Sequence, residues 1–218
     1  QSRAEYRPST NSSAARMMRA LALTLLLVIG GGQAHAADEP WRTDPTAFIN
    51  HFAAAGIEDI LTADIDDVEK AKRFRTLFND GFDIPAISRF VIGRTWRRTT
   101  DADKDAFIAL FEDVIVYTWS RRFSEYTGQS IEVRGTSPDG DIGTLVDSVI
   151  VDDDGQTISA QWRLRLRDDG LRIVDVIIEG VSMAITYRQD YASVIRQQGG
   201  MSGLLDLLGK QVVDSAPS

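Results

Sequence analysis

Residues 156–167 read "QTISAQWRLRLR". Ile158, Ala160, Trp162, Leu164 and Leu166 alternate with Thr157, Ser159, Gln161, Arg163, Arg165 and Arg167, so one side of this segment is dry and the other wet. A two-residue period predicts a strand covered on a single face. Working outward, residues 130–134, 144–151 and 171–179 also read as strands, joined by the turn-rich stretches "GTSPDGDIG", "DDDG" and "DDG". Turns this short between strands predict an antiparallel meander of four strands.

The period is helical on both flanks of that region. Asp44 caps a helix that has Pro45 in its first turn and Phe48, Ile49 and Phe52 on one side. A second helix covers residues 66–78, with Val68, Ala71, Phe74, Leu77 and Phe78 opposite Glu69, Lys70, Lys72 and Arg73. Residues 82–91 form a short helical piece interrupted by Pro85. The longest helix is expected over residues 101–126, with Thr100 as N-cap and Asp101, Asp103 and Asp105 near the positive end. Phe107, Leu110, Phe111, Val114 and Tyr117 line one face and Ile108, Ile115 and Trp119 another, which marks an interior helix. Two further helices follow at 184–196 and 202–210. Helices, then strands, then helices predict an α+β fold, with helices packed on one face of a curved, mostly antiparallel four-stranded sheet.

Residues 1–36 stand apart. Met17, Met18 and Arg19 precede an apolar run from Ala20 to Ile29, a glycine break and Ala34-His35-Ala36. That order reads as a secretory leader cleaved after Ala36, preceded by a polar extension, and leaves residues 37–218 as a single domain. Without the leader the formal net charge moves from −8 to about −11, which argues against a nucleic-acid binder. The chain contains no cysteine, so cysteine nucleophiles, thiolate metal sites and disulfides are excluded. His51 has no indicated partner to orient it for catalysis and reads as a core or surface histidine. The "DDDG" carboxylates resemble a calcium loop only at their start, because position 163 is Arg where the twelfth residue of such a loop is Glu; a hairpin turn is expected. No metal or cofactor is expected. Arg163, Arg165 and Arg167 read as a solvated strand face paired with acids such as Asp147, Asp175 or Glu132.

Two long blocks then carry a resemblance. Residues 89–133, "RFVIGRTWRRTTDADKDAFIALFEDVIVYTWSRRFSEYTGQSIEV", and residues 171–208, "LRIVDVIIEGVSMAITYRQDYASVIRQQGGMSGLLDLL", resemble in order the two halves of the MlaC family of periplasmic phospholipid carriers. Thr95 stands where that family commonly has an aromatic, and Trp119 where it commonly has a small residue. Within "FVIGRTWRRTT" (90–100), Gly93 permits a tight bend, Trp96 anchors the loop to the core, and Arg94, Arg97 and Arg98 lie outside as surface pairs or partner contacts.

The resemblance implies an apolar pocket between helices and sheet, occupied by phospholipid acyl chains. It also implies a periplasmic shuttle between an outer-membrane lipoprotein complex and the lipid-binding subunit of an inner-membrane ABC transporter. Placed on the helix and strand faces, the expected lipid contacts are Phe78, Phe90, Trp96, Phe107, Phe111, Val114, Val146, Ile150, Trp162, Leu164, Val174, Val176, Ile178 and Tyr187. A hopanoid-associated carrier of the same fold is one alternative. A small α+β enzyme acting on an apolar substrate is another, with Asp147 or Asp175 as its strand carboxylate, and an adaptor with a closed core is a third.

Overall fold

The computed structural model describes residues 39–122, 126, 128–152 and 154–217. The expected leader and its cleavage point lie outside the described residues. A single turn of 3-10 helix, Pro40–Arg42, leads into helix α1, Pro45–Gly56, where the Asp44 carboxylate accepts from the Ala47 amide at 2.7 Å. α1 runs on into a π-helical turn, Ile57–Leu61. Helix α2, Asp67–Gly81, is capped by Asp66, and α3, Ile84–Ile92, by Asp83 with Pro85 in its first turn. Pro85 therefore starts a helix here instead of interrupting one, as its missing N–H permits.

Gly93 has φ +62°, the left-handed region that favours glycine, and turns the chain into the 3-10 segment Gly93–Arg98. Trp96 packs against the helical core, and Arg94, Arg97 and Arg98 carry their side chains at the surface. Helix α4, Asp101–Ser120, begins at Thr100, whose hydroxyl accepts from the Asp103 amide at 3.1 Å. It is six residues shorter than the expected 101–126, and Arg121 and Arg122 already lie in a turn. Its buried residues include Phe107, Phe111, Val114, Ile115 and Val116, which wrap around the helix as an interior position requires.

The sheet runs in the order β1-β2-β3-β4-β5, antiparallel throughout: Ser130–Pro138, Gly143–Val151, Thr157–Arg167, Gly170–Ile178 and Val181–Ser182. Among the described residues it has five strands where four were expected. Glu179 and Gly180 both adopt positive φ, 49° and 78°, and this two-residue turn folds the brief β5 back along the end of β4. Helices α5, Met183–Gln197, and α6, Met201–Ser215, complete the chain.

Register places Val146 opposite Trp162 and Ile150 opposite Ile158, with Ile131 opposite Ile150, so these side chains share the dry face. The wet face carries the arginine row: Arg163 bonds Asp139 and Asp175, each at 3.0 Å, Arg165 bonds Asp139 at 2.7 Å, and Arg167 reaches Asp83 at 2.7 Å. Burial alone would raise the Asp139 carboxyl, but the hydrogen bond from Arg165 and the charges of both arginines outweigh it and hold it below the ordinary carboxylate range.

A bulge between Arg163 and Leu164 shifts the β3–β4 register from Asp175 to Ile173. One extra β4 residue is thereby left between the two ladders, and the Ile173 carbonyl accepts from the Asp83 amide at the start of α3.

Burial divides into two clusters. One is helical, built from α2, α3, α4, α5 and α6, with Phe107, Phe111, Val116, Leu204 and Leu208 at its centre. The other joins α1 to the sheet through Phe48, Ile49, Val146, Trp162, Leu164 and Ile173. Phe82, between α2 and α3, packs against both.

Gly81 sits where that junction is tightest, since a Cβ built on it would lie 2.6 Å from Cε2 of Phe52. Gly81→Val should overpack the junction and cost about 2 kcal/mol. The check is the urea unfolding midpoint, which should fall with an unchanged denaturant slope.

Candidate functional site

Between the two clusters lies an apolar cavity of about 300 Å³. The sheet supplies one wall through Ile131 of β1, Ile150 of β2, Trp162 of β3, and Val174, Val176 and Ile178 of β4. Helices close the other sides: Phe52 from α1, Phe74 and Phe78 from α2, Ile87 from α3, and Phe111, Ile115 and Trp119 from α4. Phe82 and the first turns of α5, with Met183, Ala184 and Tyr187, complete it. The rings brace one another, with Phe78 and Phe82 4.5 Å apart and Phe52 edge-on to both Phe82 and Trp162.

Trp162 fills its share of the wall without leaving a polar atom stranded. Its Nε1–H donates to Ser148 Oγ at 2.9 Å, and that hydroxyl donates to the Ala160 carbonyl at 2.9 Å. Burial pushes the Tyr187 phenol up, while the positive charge of Arg122 pulls it partly back.

Among the described residues, Asp175 is the one charged residue of the lining. It is 4% exposed and fully engaged: Oδ2 accepts from Arg163 at 3.0 Å and Ser182 at 2.6 Å, and Oδ1 from the Ala184 amide at 3.0 Å. These bonds fasten β4, β5 and the start of α5 to one point. A carboxylate held by three donors on the wall of a hollow acts as a clamp on that wall. Asp147 lies on the wet face and accepts from Gln161 at 2.6 Å.

Of the fourteen residues expected to line the pocket, Phe78, Phe111, Ile150, Trp162, Val174, Val176, Ile178 and Tyr187 do so. Phe107 and Val114 lie behind the wall in the helical cluster, where Phe107 stacks on Phe111 with centroids 5.6 Å apart. Val146 and Leu164 share the dry face with Trp162 but are sealed beneath α1. Phe90 is at the surface under the Arg188 guanidinium, and Trp96 packs beside Lys104 against the helical cluster, off the lining. Sequence reasoning missed Phe52, Phe74, Phe82, Ile87, Ile115, Ile131, Met183 and Ala184. It flagged Trp119 only as a departure from the family pattern, and the structure puts that side chain on the lining, 42% exposed.

A family model described as MlaC protein matches residues 57–210. Among solved structures, the chain is similar in fold to the phospholipid-binding protein from Ralstonia solanacearum in complex with a phospholipid. The TM-score is 0.72 at 18% sequence identity, over 80% of this chain and 100% of that one.

Asp175→Asn exchanges the anion that Arg163 needs for a neutral amide. Because Arg163 keeps Asp139, the loss should be near the low end for a broken buried pair, about 2 to 3 kcal/mol. It is read from chemical denaturation, and Asp147→Asn, on the wet face, should cost less than half as much.

Proposed function

The chain belongs to the MlaC family, and from that premise we propose that it is a periplasmic phospholipid carrier. It sequesters acyl chains and moves them between outer-membrane and inner-membrane components of an ABC-type transport system. The observation that carries this reading is the cavity itself, whose lining is apolar apart from a carboxylate already satisfied by three protein donors. Such a surface offers methylene chains dispersion and dryness, and no fixed polar recognition.

The energetics fit the role. A diacyl lipid with roughly 30 chain methylenes costs on the order of 24 kcal/mol to expose to water, at about 0.8 kcal/mol each. Unaided passage through an aqueous compartment is therefore negligible, and a carrier must replace those contacts reversibly. The similar fold of the Ralstonia protein, itself in complex with a phospholipid, supports the same reading. The leader expected from Met17 to Ala36 would deliver the carrier to the periplasm. An outer-membrane lipoprotein complex and the transporter's lipid-binding subunit would be its donor and acceptor.

The cavity, about 300 Å³, would widen between the helical wall and the sheet to take up two acyl chains. On this reading Phe52, Phe74, Phe82, Ile115, Trp119 and Ile131 join the eight expected residues as chain contacts. Phe107 and Val114 back the wall from behind.

Protein purified without detergent and extracted with organic solvent should yield diacyl phospholipid near one per chain. Val176→Trp and Ile150→Trp, which place an indole in the hollow, should lower the recovered lipid about tenfold while the fold, followed by circular dichroism, is kept. Wild-type protein that carries no lipid and takes none from vesicles would overturn the reading.

A further inference from the structure

Trp119 belongs to the cavity lining and yet is 42% exposed, which places it at the mouth. Three residues on, just past the end of α4, Arg122 lies over the same indole, its Cζ 5.5 Å from the ring centroid. Tyr187 of α5 also belongs to the lining, and its phenol feels the Arg122 charge and, with opposite sign, that of Asp190. Among the described residues no carboxylate lies within ion-pair distance of Arg122. The charge on the lining itself, Asp175, is neutralised from behind by Arg163. The mouth thus combines an apolar interior with a cation at its rim, held on an aromatic platform.

We propose that Arg122, seated on Trp119, is the clamp for the phosphate of a lipid whose acyl chain occupies the cavity. This deepens the carrier reading and rests on it. The chemistry is specific. A guanidinium presents paired N–H donors to two phosphate oxygens, and stacking on an indole fixes its plane at little entropic cost. The clamp would select lipids bearing a phosphodiester over neutral lipids with the same chains, and would set the depth to which the glycerol enters.

Two soluble lipids separate the contributions: dioctanoyl phosphatidylglycerol, with the phosphate, and dioctanoylglycerol, without it. Calorimetric titration of delipidated protein should show Arg122→Gln binding the phosphatidylglycerol about tenfold more weakly and dioctanoylglycerol within twofold of wild type. Arg122→Lys, which keeps the charge without the fork, should fall between the two. Inorganic phosphate at millimolar concentration should not bind, since the clamp acts on a phosphate tethered by its chain. If Arg122→Gln weakens both lipids equally, or neither, the clamp is overturned while the carrier stands. If inorganic phosphate binds Arg122 as well as the lipid does, the residue is a free-anion site and the clamp is again overturned. Wild-type protein that takes neither lipid overturns the carrier reading and the clamp together.

Discussion

One face of a four-strand meander must be kept from water, and the helices that cover it do so unevenly. α1 lies directly on the sheet and seals Val146, Leu164 and Ile173. The remaining helices pack chiefly on one another, around Phe107, Phe111 and Leu208. Between these two packed regions the dry face continues through Ile131, Ile150, Val176 and Ile178 with nothing seated on it. The hollow is thus the remainder of an incomplete covering, and the rest of the site follows from where that covering stops.

The β4 bulge and Asp175 hold this arrangement open. By shifting register at Arg163, the bulge frees the Ile173 carbonyl for the first turn of α3 and directs Asp175 toward Ser182 and Ala184. One strand irregularity therefore positions two helices, one on each side of the hollow. Across the helical layer, Arg75 of α2 grips Glu112 and Asp113 of α4 at 2.7 and 2.6 Å, so those helices present their aromatic side chains as a unit. A multi-charge contact between partly buried groups fixes geometry more than it adds stability.

Much of the fold was legible because its signals are local. The alternation around Trp162, the caps at Asp44, Asp66 and Thr100, and the strand spacing are properties of short segments. The fifth strand was not legible, since two residues carry no period and Glu-Gly is a weaker turn signal than Asn-Gly. For the site, alternation identified the dry face but could not say which part of it α1 would cover, so Val146 and Leu164 were grouped with Trp162 and Ile150. α4 is apolar around most of its girth, so although its period separated Ile115 and Trp119 from Phe107 and Val114, it could not say which of them would meet the hollow. Phe52, Phe74 and Phe82 come from separate elements that only tertiary packing brings together.

Phe82 has a wider meaning in this architecture. It is the side chain that touches both packed regions, at a helix junction whose backbone also pairs with Ile173 of the sheet. The two packed regions are tied there by that ring, by the Asp83–Ile173 backbone bond and by the Arg167–Asp83 pair, and a second time at Asp175, which holds β4 to Ser182 and Ala184. Any widening of the hollow has to be taken up between these two ties, by side chains and not by the backbone seams that join sheet to helices.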